Sequence, residues 1–67
     1  MTPAEIDSAT ARCCVQAANL LIGAYNQETS YLRRRSLRCA LVHVAEVAKD
    51  VMPEAGITLP EADDYIG

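Results

Sequence analysis

SYLRRRSLRCALVHVAEVAKDVM, residues 30–52, carries the clearest period in the chain. Leu37, Leu41, Val44, Ala48 and Val51 recur at steps of four and three, the spacing of one face of an α-helix. Its first half holds Arg33, Arg34, Arg35 and Arg38; its second half holds His43, the one histidine of the chain. Pro53 follows, and proline disfavours helical geometry in the residue before it and cannot extend the hydrogen-bond ladder. The stretch therefore predicts a helix over about 30–52.

Upstream, Thr2-Pro3-Ala4-Glu5 is a helix start. Thr2 caps, Pro3 occupies the first helical position, and Glu5 completes a T-x-x-E capping box. Asp7 adds negative charge where the helix dipole favours it. The expected helix runs over about 3–25. Its polar positions, Glu5, Ser8, Arg12, Gln16, Asn19, Gly23 and Asn26, form one narrow stripe. Cys14, Ala17, Ala18, Leu21 and Tyr25 lie opposite, and Cys13, Val15, Leu20, Ile22 and Ala24 make the flanks apolar as well. A helix with so thin a polar stripe needs cover on more than one side, and one neighbouring helix cannot supply it. Gly23 costs roughly 1 kcal/mol relative to alanine in a helix interior. It either permits close helix approach or marks fraying before the turn.

Residues 26–30, Asn26 to Ser30, are rich in side chains that favour caps and turns, and Thr29 or Ser30 can cap the second helix. No proline falls here and no glycine lies nearer than Gly23, so one unbroken helix is the alternative to a hairpin. Beyond Pro53, Gly56 and Pro60 make residues 53–67 a tail, with Ile57, Leu59, Tyr65 and Ile66 as apolar handles. The tail forms either one more short turn or a strap across the helices. The expected architecture is all-α: an antiparallel helical hairpin of two long helices plus a short C-terminal tail, one domain over residues 1–67, pairing as a four-helix-bundle-type oligomer.

Composition sharpens this expectation. The chain has 67 residues, 51% of them hydrophobic, yet no Phe and no Trp. Alanine fills little volume, and a chain this short buries only about 60% of its unfolded surface. Self-association, most simply as a homodimer, makes up the shortfall. The expected interface comprises Cys14, Ala17, Ala18, Leu21, Ile22, Leu41, Val44, Ala48 and Val51. The net charge is −3, which disfavours non-specific nucleic-acid binding because that rests on neutralising phosphates. Asp50, Glu54, Glu61, Asp63 and Asp64 concentrate the acid in the last third. The longest apolar run, residues 13–25, is broken by Gln16 and Asn19 and is too short and polar to span a bilayer. The first residues are not basic and then apolar as in a secretory signal, and three cysteines make an odd number. A reducing cytoplasm is expected.

Three constellations bear on chemistry. Arg33, Arg34, Arg35 and Arg38 sit in the first turns of the second helix, whose free N–H groups favour anions. Tyr31 precedes them and Tyr25 lies across the turn, so a phosphate-bearing ligand could be gripped by arginine and stacked by tyrosine. The plainer reading is an exposed basic face paired with Glu28 or with the acidic tail of a neighbour. Second, Cys39 and His43 lie four apart on one helix face. With a bend near residue 28, position 43 falls across from about 13, so Cys13 or Cys14 joins them as a weak metal candidate. Small buried hydrophobes are the stronger reading of these cysteines. Third, a Cys–His nucleophile pair lacks an oxyanion hole and an orienting group. No cofactor and no catalytic role is expected.

Function follows as a ranked set. The first expectation is a small non-catalytic homo-oligomer acting as a protein-interaction or regulatory module. The second is an oligomeric binder of a nucleotide or other small anion through residues 33–38. The third is a small DNA-binding regulator, against which the acidic charge counts.

Overall fold

A computed structural model describes residues 1–62 and confirms the all-helical hairpin. Helix α1 spans Pro3–Gln27 and helix α2 spans Tyr31–Val51. The described residues contain no strand. The expected handles Tyr65 and Ile66, with Asp63 and Asp64, lie outside the described residues.

The start of α1 has the expected Thr2 cap, with Glu5 reaching back to the Thr2 hydroxyl. The Thr2 hydroxyl accepts from the Glu5 amide at 3.2 Å and donates to the Glu5 carboxylate at 3.2 Å. This satisfies one of the amides that the first turn leaves without a helical partner. The start of α2 departs from expectation. Ser30 holds the cap position, but its hydroxyl makes no capping bond. The Glu28 carboxylate instead accepts from the Thr29 and Ser30 amides, both at 3.1 Å. A full negative charge there suits the helix dipole better than a hydroxyl, and the first turn of α2 carries no acid of its own.

The core is a seven-residue ladder. Ala11, Ala18 and Tyr25 are the buried residues of α1; Leu41 and Ala48 are those of α2. A seven-residue repeat on both helices is the signature of near-parallel axes with interlocking side chains. Arg34, one step before Leu41, stacks on Tyr25, which fixes the register. The same step brings Leu41 level with Ala18 and Ala48 level with Ala11. Three of the five buried residues among those described are alanines, so the helices pack closely and the core is thin.

The tail is a strap. After Met52 the chain turns, with the Ala55 amide donating to the Met52 carbonyl at 2.8 Å. It then runs back along the hairpin without regular structure. The Arg38 Nε donates to the Pro60 carbonyl at 2.9 Å, and the Tyr25 hydroxyl donates to the Glu61 carbonyl at 2.9 Å. Ile57 and Leu59 of the strap are half-buried. The strap therefore runs along one of the two grooves between the helices, the side on which Ala11, Val15, Met52 and Ala55 come together around an open depression. No described helix is long and apolar enough to cross a membrane.

Gly23 lies inside α1, which continues to Gln27, so it does not mark a frayed end. A Cβ placed there meets nothing within 4 Å, so close approach does not require glycine either. Gly23→Ala should therefore stabilise the chain by about 0.5–1 kcal/mol by restricting the unfolded state. Thermal denaturation should show Tm rising by roughly 2–8 °C.

Candidate functional site

The turn end of the hairpin gathers the residues that sequence singles out. Helix α1 ends without glycine and without a basic residue in its last turn. Its final carbonyls need donors from elsewhere. Glu28 supplies one amide, to the Ala24 carbonyl at 2.9 Å. Arg34 reaches across from α2 and supplies another. One of its terminal nitrogens, Nη1, donates to the Tyr25 carbonyl, and to the Glu28 carbonyl at 3.1 Å. Its guanidinium carbon stands 3.9 Å from the centroid of the Tyr25 ring, a cation–π geometry. The positive charge thus faces the C-terminal end of α1, where the dipole attracts cations. A cationic run near the start of α2 opposes that helix's own dipole; at Arg34 the adjacent helix end resolves the conflict.

The four arginines therefore divide. Arg34 and Arg38 are half-buried and hold the turn and the strap to the helices. Arg33 and Arg35 are exposed and make no hydrogen bond or ion pair among the described residues. Tyr25 is 3% exposed, so its ring is a core element and is not presented to a ligand. Tyr31 is half-buried. A cavity of about 200 Å³ remains between strap and helices, lined by Tyr25, Tyr31, Arg35, Arg38, Cys39 and Ala62. Two of the six residues expected to form an anion site, Tyr25 and Arg34, are thus already part of the hairpin's own packing, and Arg38 fastens the strap.

The register corrects the cysteine–histidine expectation. The pairing of Arg34 with Tyr25 places position 43 level with 16 and position 39 level with 20, about three residues from the register expected of a bend near 28. The cause is the end of α1: the helix runs on to Gln27 and the turn follows it. Cys13, Cys39 and His43 are exposed, and Cys14 is half-buried. The buried-thiol expectation therefore fails for Cys13 and Cys39. No group of three His, Cys, Asp or Glu side chains converges among the described residues in a way that could hold a metal ion.

Of the expected interface residues, Ala18, Leu41 and Ala48 are already covered by the chain itself. Cys14, Ala17, Leu21, Ile22, Val44 and Val51 are half-buried. The groove away from the strap is open. Ile6, Thr10, Cys13, Cys14 and Ala17 of α1 meet Val44 of α2 around a shallow depression of about 460 Å³. A second depression continues it toward the turn, between Ala24, Leu32 and Leu37. Exposed large apolar side chains include Leu20 at 77%, Leu32 at 68%, Ile6 at 50% and Val47 at 48%.

Replacing Arg34 with alanine removes a cation–π contact and two charge-assisted bonds to carbonyls. The expected cost is roughly 2 kcal/mol, measured by denaturant unfolding. Arg33→Ala, at an exposed position, should change stability by less than about 0.5 kcal/mol. Tyr25→Phe keeps the buried ring and loses the hydroxyl bond to the strap. Amide exchange should then accelerate across residues 57–62 while the α1 and α2 cores keep their protection.

No family model, curated protein or solved structure matches this chain, so its function has to be argued from its own residues.

Proposed function

We propose that this chain is a small, non-catalytic homo-oligomeric interaction module, a dimer in its simplest form, working in a reducing compartment such as the cytoplasm. The observation that carries this reading is the apolar surface left open after hairpin and strap have packed. Leu20, Leu32, Ile6 and Val47 are each about half exposed or more. Single exposed apolar residues are ordinary on soluble proteins, but Ile6, Ala9, Cys13, Cys14 and Ala17 of α1 line one apolar depression with Val44 of α2, and a patch of that kind marks a contact surface. The thin core adds weight. Tyr25 and Leu41 are the large side chains among the buried described residues, and the other three are alanines. A core this small stabilises an isolated 67-residue chain only marginally, and burial between copies supplies what it lacks. Free Cys13, Cys14 and Cys39 suit a reducing environment.

A binder of small anions is the second reading, favoured by the exposed Arg33 and by Arg35 at the rim of the cavity beside Tyr31. It is narrower than the sequence suggests, because Arg34 and Arg38 already donate to main-chain oxygens.

Sedimentation velocity across a hundredfold concentration range tests the main reading. The expected result is a species of twice the chain mass that persists into the low micromolar range. A single species of 7.3 kDa throughout would refute it. Thermal shifts with inorganic phosphate and nucleotides test the second reading: stabilisation lost in Arg35→Ala supports it, and no stabilisation removes it.

A further inference from the structure

We infer that the self-association face is the groove opposite the C-terminal strap, and that its occupant is a second copy of this chain laid antiparallel. The inference rests on the oligomeric reading above and specifies which surface performs it.

Three observations select this face and this partner. The first is position. Helix α1 is apolar on both flanks, and the strap runs along the flank of Ala11 and Val15, fastened near the turn and leaving Val15 39% exposed beside Met52 and Ala55. The other flank, carrying Ile6, Thr10, Cys13 and Ala17, faces solvent together with Val44 of α2. The two depressions on this side lie along one face, so a helical partner can follow it from the open end to the turn.

The second is area. The chain exposes 4982 Å². A compact monomer of 7.3 kDa exposes about 4,200 Å². The excess of about 800 Å² reflects elongation, and one partner's share of a standard stable interface is of the same order. It arises from a rod-like shape, 50 × 17 × 13 Å, whose long side offers a face of that order. Two such rods laid face to face make a four-helix arrangement with a thicker core.

The third is charge. Arg33, Arg34, Arg35 and Arg38 lie at the turn end. Glu28 and Glu61 are the acids beside them, and Glu5, Asp7, Glu46, Asp50 and Glu54 lie toward the open end with Arg12, Lys49 and the N-terminus, so the turn end is net basic and the open end net acidic. A parallel pairing stacks like charge at both ends. An antiparallel pairing sets the basic end of each copy over the acidic end of the other. Arg33, on the open-groove side of α2, then approaches the Asp50 to Glu54 region of the other copy. Opposed charges of this kind choose the orientation, while the apolar face supplies the affinity.

The test uses the full chain and three variants at exposed positions. Cys13→Glu and Val47→Glu place a carboxylate on the open face; Cys39→Glu places one on the strap side. Helix content is checked for each by circular dichroism, and mass is measured by sedimentation. The expected result is a dimer for the parent and for Cys39→Glu, with at least tenfold weaker association for Cys13→Glu and Val47→Glu. A dimer broken by Cys39→Glu and indifferent to the other two overturns the choice of face while the oligomeric reading stands. A monomeric parent overturns both. The unmodified chain gives a second measurement that no misfolded variant can confuse. Alkylation by iodoacetamide should slow at Cys13 as protein concentration rises and stay constant at Cys39. Equal, concentration-independent labelling of the two in a dimeric sample counts against the face. Association that strengthens rather than weakens at high salt overturns the antiparallel orientation, since its end-to-end attraction is screened by ions.

Discussion

The Arg34 guanidinium fastens the two helices where both have an electrical problem. Helix α1 ends with carbonyls that lack donors, and α2 begins with a run of cations in the wrong half of its dipole. One side chain answers both. It donates to the Tyr25 and Glu28 carbonyls and sits over the Tyr25 ring. Glu28 provides the reciprocal service, its carboxylate accepting from the amides ahead of α2. Each helix end is thus neutralised by a residue from beyond its own last turn. Tyr25, pinned on one side by arginine, uses its hydroxyl to hold the strap. Turn, core and strap are therefore mechanically one unit at this end.

Much of the fold was legible in the sequence because it is written in side-chain type and spacing. The Thr2–Glu5 box, the Pro53 stop and the four-and-three recurrence through Leu37, Leu41, Val44, Ala48 and Val51 all speak of local rules. The strap is one of the two forms the tail's sequence allows, and its Ile57 and Leu59 are half-buried as apolar handles should be. The register was missed by about three residues. A turn of polar residues says that the chain bends, not where α1 gives way. That point is set by Glu28 and Arg34 acting on helix ends across the turn. The same limit explains the misreading of the arginines. Sequence displays their charges but not their acceptors, because the acceptors of Arg34 and Arg38 are main-chain carbonyls, which carry no letter.

The molecule is two-sided as a result. On one side the strap lies over the seam between the helices, fixed near the turn by Arg38 and Tyr25. On the other the seam is bare, edged by small residues on α1 and branched residues on α2. An apolar fraction of one half without Phe or Trp leaves a short chain few ways to build volume. Folding its own tail over one groove uses the means available within a single chain. The other groove is where a copy contributes most.

The clasp on the strap has an evolutionary corollary. Because Arg38 and Tyr25 hold the peptide oxygens of residues 60 and 61, they measure how far along the tail those oxygens lie and ignore the identity of the residues that bear them. The segment between Met52 and Pro60 is therefore a spacer whose length is under tighter constraint than its spelling. Exchanges of one residue for another should drift at its exposed positions, such as Glu54 and Thr58, whereas a single insertion or deletion would throw both oxygens out of reach at once.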